Sequence, residues 1–115
     1  MSLHEIAHGL VDHCRNLRFR DAMHAYYSPD IVSVEVNGEP RETRGIDATL
    51  GKEDWFDKTF EILDCQVEGP WINDPCFLVK FTIKTKKRED GEEGVMEEYA
   101  LYSVHEGKIV HERFF

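Results

Sequence analysis

The sequence contains no apolar run approaching the ~18 residues that a membrane-crossing helix needs. Nor do its first residues, MSLHEIAHGL, have the basic-then-apolar order of a secretory signal. Basic residues are scarce, 14 against 23 acidic ones, for a net charge of −9. Phosphate backbones and anionic lipid surfaces repel such a chain, so neither nucleic acid nor membrane is an expected partner. There are only three cysteines, an odd number with no CxxC spacing, and they read as reduced thiols in a cytoplasmic protein. No glycine-rich phosphate loop, internal repeat or low-complexity tract occurs, and nothing signals a serine–histidine–aspartate or cysteine–histidine nucleophile.

What is present is a 115-residue chain with 41% apolar residues, enough for one domain, 1–115, with one core. Ser2-x-x-Glu5 has capping-box spacing. Leu3, Ile6, Ala7, Leu10, Val11, Cys14 and Leu17 follow at three- and four-residue steps, the stripe of a helix lying on a core. Phe19, Ala22, Met23, Tyr26 and Tyr27 make a second, shorter stripe, which Pro29 and Asp30 are expected to close. Ile31 to Val36 reads as a β-branched strand with Ile31, Ser33 and Glu35 on one face. A third helix is expected from about Ile46 to Lys58, weakened by Gly51. From Phe60 the period becomes two, and four successive strands joined by short turns suggest an antiparallel meander.

Helices first and long strands after imply an α+β domain whose curved, mostly antiparallel sheet wraps the N-terminal helices in a cone and leaves a cavity at its open end. Several strands are apolar on both faces, so a homodimer through the outer sheet face is expected.

This order resembles the SnoaL-like group within the nuclear transport factor 2-like superfamily. The residues that carry the resemblance are Tyr27-Ser-Pro-Asp30 entering the first strand, Thr43-Arg-Gly45-Ile46 entering the third helix, Gly107-Lys-Ile109 starting the last strand, and Phe114-Phe115 ending it. It covers essentially the whole chain. The resemblance implies a small apolar ligand in a pocket and, where there is catalysis, a cofactor-independent isomerase, dehydratase or cyclase working by proton transfer. A non-catalytic binding or interaction module is the alternative, since one fold hosts many chemistries.

In ketosteroid isomerases of this superfamily the first strand leads to a carboxylate base. Glu35 stands at the matching offset and is the expected catalytic residue; its other reading is a solvated strand-end glutamate. Those isomerases also use a helix tyrosine and a protonated acid as an oxyanion hole. The stripe around Leu10 and Val11 has no such tyrosine, which argues against steroid isomerisation, and Tyr99 falls near the second position. Glu112, with Val110 and Phe114, lies on a face that the resemblance turns toward the cavity; alternatively Glu112 is an exposed strand residue. Either Glu97 or Glu98 faces inward. Trp55, Trp71 and Tyr99 are aromatic wall or core, and His24 is a proton shuttle or a surface residue. His4-Glu5-Ile-Ala-His8 matches HExxH, but Glu5 already has a capping role and the longer metalloprotease spacing is missing, so no metal site is expected.

Overall fold

The computed structural model describes residues 1–115. Helix α1 (Leu3–Arg15) starts at the expected capping box: Ser2 Oγ accepts from the Glu5 backbone N–H, and the Glu5 carboxylate accepts from the Ser2 N–H, each at 3.2 Å. Its stripe Ile6, Ala7, Leu10, Val11 and Cys14 is buried, whereas Leu17, beyond the helix end, is exposed. The Arg15 guanidinium donates to the Val67 carbonyl at 2.8 Å and ties the helix end to the sheet. Helix α2 (Phe19–Tyr26) buries Ala22, Met23 and Tyr26.

The chain then enters strand β1 (Tyr27–Glu35) directly, so the second helix ends at Tyr26 and Pro29 lies inside a strand. Proline is tolerated there because pairing with the neighbouring strand is irregular between Tyr27 and Val32. A short strand β2 (Glu42–Arg44), which no apolar alternation announces, pairs with β1 from Val32 to Val34. Gly45, at φ 90°, turns the chain into helix α3 (Ile46–Thr59).

Strands β3 (Phe60–Asn73), β4 (Cys76–Lys87), β5 (Glu93–His105) and β6 (Lys108–Phe114) form the expected antiparallel run. The six-stranded sheet has the order β2-β1-β6-β5-β4-β3 and is mixed, because β1 runs parallel to β6. One side packs on the helices. Phe77, Val79, Phe81 and Ile83 of β4 and Ala100 and Tyr102 of β5 are its buried inner row, with Phe77 stacked on Tyr102. A register shift between Ser103 and Val104 changes the inner set of β6. Ile109 rather than Val110 is fully buried, while Glu112 still faces inward opposite Tyr102.

Candidate functional site

Between α1, α2, α3 and the inner sheet face lies a mostly apolar cavity of about 880 Å³, within the range of small-molecule sites. Its polar wall is built by three adjacent strands. Ser33 of β1 lies level with Glu112 of β6, which is opposite Tyr102 of β5. One step along, Glu35 lies level with Phe114, which is opposite Ala100. Glu98 follows two residues from Ala100 on the same face of β5. Side chains two residues apart on one strand face are roughly 7 Å apart, so the three carboxyls share one wall.

Each carboxyl has a different environment. Glu112 is 3% exposed, and the Tyr27 hydroxyl donates to both of its oxygens, at 3.0 and 2.8 Å. Burial dominates and lifts it to about 7, against the lowering effects of Tyr27 and Lys52. Glu98 is half-buried and has no hydrogen-bond partner; desolvation and the neighbouring Glu35 also push it up to about 7. The Glu35 side chain is 34% exposed and forms an ion pair with Lys52 Nζ at 3.4 Å. Lys52 Nζ also donates to the buried Ser33 hydroxyl at 2.8 Å and lies over the Phe114 ring. Burial raises Tyr27 and Tyr102 well above the ordinary tyrosine value, so both remain neutral hydroxyls. Thr43 of β2 also lines the cavity; it is 9% exposed and its hydroxyl has no partner.

Of the residues the sequence pointed to, Glu35, Trp55, Glu112 and Phe114 line the cavity. Trp55 is 63% exposed and stands at the mouth, edge-on to Phe60. Tyr99 does not line it. The inner residues of β5 are Met96, Glu98, Ala100 and Tyr102, so Tyr99 points outward, stacked on Phe115 with Lys80 over its ring. The same alternation decides between the neighbouring glutamates: Glu98 faces the cavity and Glu97 is exposed. His24 is also outside, because the inward side of α2 is taken by Ala22, Met23 and Tyr26. Trp71 lies on the outer sheet face opposite Leu78. His111 shares that face, opposite Ser103.

Three contributors were not found from sequence: Lys52, Glu53 and the Tyr27 hydroxyl. Thr49, Lys52, Glu53 and Phe56 all line the cavity and follow a three-to-four-residue step, which is a helical face. Polar residues at those steps carry no hydrophobic signal. Among all residues, no group of three or more His, Cys, Asp or Glu side chains is arranged to hold a metal ion.

An open sheet curled over three helices around a cavity is the cone-shaped α+β architecture, and several solved structures share it. A nuclear transport factor 2-like protein from Burkholderia thailandensis is 17% identical with a TM-score of 0.84, covering 100% of this chain and 90% of its own. A Bacillus subtilis protein named as a candidate isomerase is 14% identical with a TM-score of 0.78, covering 99% and 88%. A Mesorhizobium loti protein is named as a candidate SnoaL-like polyketide cyclase, with the words carbohydrate phosphatase also in its name. It is 31% identical with a TM-score of 0.93 and covers 100% of this chain and 99% of its own. The SnoaL-like domain family matches residues 1–115, and the chain belongs to that family. No curated protein matches it in sequence.

Proposed function

We propose that this protein is a cofactor-independent proton-transfer enzyme, of isomerase, lyase or cyclase type, acting on a small apolar molecule held in the cavity. The observation that carries the reading is the polar wall: carboxyls in unlike environments beside one ammonium, inside an otherwise apolar hollow. Glu35, paired with Lys52, takes a proton from carbon. Glu98, which holds a proton part of the time near pH 7 and has no protein partner, gives one to the oxygen that develops charge. A pair of titratable groups in unlike environments is the general arrangement for acid and base work at one pH. Lys52 supplies electrostatic stabilisation to the developing oxyanion. Glu112, held by Tyr27, fixes the wall beneath them. The names of the isomerase and cyclase neighbours support this class of reaction.

Proton transfer at carbon can be followed without knowing the product. Small cyclic ketones and enones that quench the Trp55 fluorescence are incubated with the protein in D2O, and deuterium incorporation next to the carbonyl is read by NMR. The wild type is expected to accelerate exchange, and Glu35→Gln and Glu98→Gln to abolish it while ligand affinity stays within a few-fold. Exchange no faster than in buffer for every compound that binds, or full exchange in Glu35→Gln, refutes the reading.

We propose too that the outer face of the sheet meets a second copy of this chain. Trp71, Leu78 and Leu101 lie in one cross-strand row there, with Tyr99 and Phe115 alongside. Lys80 and Arg113 share that face with Glu68 and Glu97, so opposite charges are available to a self-complementary contact. Sedimentation of the wild type as a dimer, and of Trp71→Asp/Leu101→Asp as a folded monomer, is expected; a monomeric wild type overturns it. The three free thiols support a reducing, cytoplasmic compartment.

A further inference from the structure

The cavity reaches solvent along one rim. Of the residues that line it, only Glu39, Pro40, Ala48, Gly51 and Trp55 are exposed; the others are half-buried or buried. Glu39 and Pro40 belong to the loop at 36–41, and Ala48, Gly51 and Trp55 to α3. The entrance therefore lies between that loop and one edge of the helix. The loop side is held beside Glu35: a Cβ added at Gly38 would come 2.9 Å from the Glu35 Cβ. On the helix side, residues three and four apart share a face. Position 51 thus looks out over the same edge as Ala48 and Trp55, where the Trp55 ring stays 63% exposed.

Gly51 is costly where it stands. It lies inside α3, and only proline suits a helix interior less. Neither usual reason for a glycine applies. A Cβ built at position 51 meets no atom within 4 Å, so nothing packs closely on the bare backbone. Its φ is not in the left-handed region, so any residue can adopt its conformation. What a side chain would fill is the open space over the entrance. We infer, resting on the reading of this cavity as the ligand site, that Gly51 is its gate: the ligand enters over the bare edge of α3, which a side chain would narrow. Lys52 is the next residue and pairs with Glu35, so an entering molecule meets the ammonium and the base together. A residue that meets the ligand only in passage raises the barrier to entry and to exit alike. Both rates then change and affinity does not.

The neutral probe N-phenyl-1-naphthylamine brightens in apolar surroundings, and stopped-flow mixing reads its entry and its exit. Gly51→Leu should slow both at least about tenfold, an added barrier of about 1.4 kcal/mol, with affinity kept within about threefold. Gly51→Ala adds little bulk and should change neither rate by more than about threefold. Both variants should raise the thermal midpoint by about 3–5 °C, because alanine and leucine favour a helix more than glycine does. That rise separates a gate from a glycine the fold requires, whose replacement lowers the midpoint. Adding Trp55→Ala to Gly51→Leu removes bulk from the same edge and should return entry to within about threefold of the wild type. Unchanged rates in Gly51→Leu, a fall in affinity with entry as fast as before, slow entry that Trp55→Ala does not restore, or a lower midpoint in Gly51→Ala overturns the inference and leaves the proton-transfer reading standing. A wild type that does not bind the probe overturns it as well, and the deuterium-exchange assay then judges the proton-transfer reading separately.

Discussion

Glu112→Gln should stabilise the protein, and only at high pH. Glu112 is 3% exposed and its folded-state value is about 7, against an ordinary 4.5. Below pH 4.5 both folded and unfolded chains hold the proton and the residue contributes nothing through titration. As pH rises from 4.5, the unfolded chain gives up its proton while the folded chain keeps it, so stability falls. Above pH 7 both are ionised, and the folded state carries the full cost of a buried charge. At about 1.4 kcal/mol per pH unit, the gap between 4.5 and about 7 is worth about 3 kcal/mol. Glutamine keeps the size and leaves an oxygen to accept the Tyr27 hydroxyl, but has no charge to bury. Urea denaturation at pH 4.5, 6 and 8.5 reads the difference. Variant and wild type should agree within about 1 kcal/mol at pH 4.5, and the variant should be ahead by about 3 kcal/mol at pH 8.5, with unchanged m. A difference that does not vary with pH would mean that packing, not charge, sets the cost. A variant less stable at pH 8.5 would mean that Glu112 is held favourably as an anion, against the whole account of the wall.

Replacing Lys52 with methionine removes the ammonium that lowers both Glu98 and Glu112. Carboxyl NMR titration should show both moving further up, and the orphaned Ser33 hydroxyl should cost about 1–3 kcal/mol in denaturation. Gly9→Ala puts a methyl against the Tyr26 hydroxyl where α1 crosses α2; with Tyr26 buried, a loss of about 1–3 kcal/mol is expected from thermal unfolding. Phe77→Ala empties a fully buried site stacked on Tyr102 at 4.8 Å and should cost about 3–5 kcal/mol in urea, which separates core packing from cavity effects when compared with Trp55→Ala at the exposed mouth.

The parts of this structure written in apolar periodicity were readable from sequence. The α1 stripe, the β4 alternation and the placement of Ile31, Ser33 and Glu35 on one inward face all follow from repeat length alone. What escaped reading depends on register or on polar positions. In β5 nearly every residue from Met96 to Val104 has apolar bulk or a glutamate beside it, so alternation alone cannot choose between Tyr99 and Tyr102, and a one-residue slip inverts both faces. The cross-strand partners decide it: Val79 opposite Ala100 and Phe77 opposite Tyr102 lock the even residues inward. The β6 irregularity beside Ser103 is likewise a tertiary event, and it moved Val110 off the inner face without moving Glu112. Tyr27 read as the tail of a helix because its ring continues the α2 stripe. It is both the helix cap and the first strand residue, and only the parallel pairing of β1 with β6 brings its hydroxyl to Glu112.

That parallel pair is also why a wall of carboxyls can persist. β1 and β6 are distant in sequence, and their side-by-side placement puts Ser33 level with Glu112 and Glu35 level with Phe114. Each acid is thus beside a group that limits its cost: a tyrosine hydroxyl for Glu112, an ammonium for Glu35. Glu98 touches neither kind of group, feeling Lys52 only at a distance, and an unpartnered acid half-buried in an apolar hollow is destabilising unless something outside the chain compensates. A folded domain optimised only for stability would have an apolar residue there, since Phe81, its partner on β4, is already buried core. Glu98→Leu should therefore raise the unfolding midpoint at pH 8 while abolishing the deuterium exchange expected of the wild type. If the same change lowers stability at pH 8, then Glu98 is supported by contacts within the fold, and its role as the acid that meets the ligand fails.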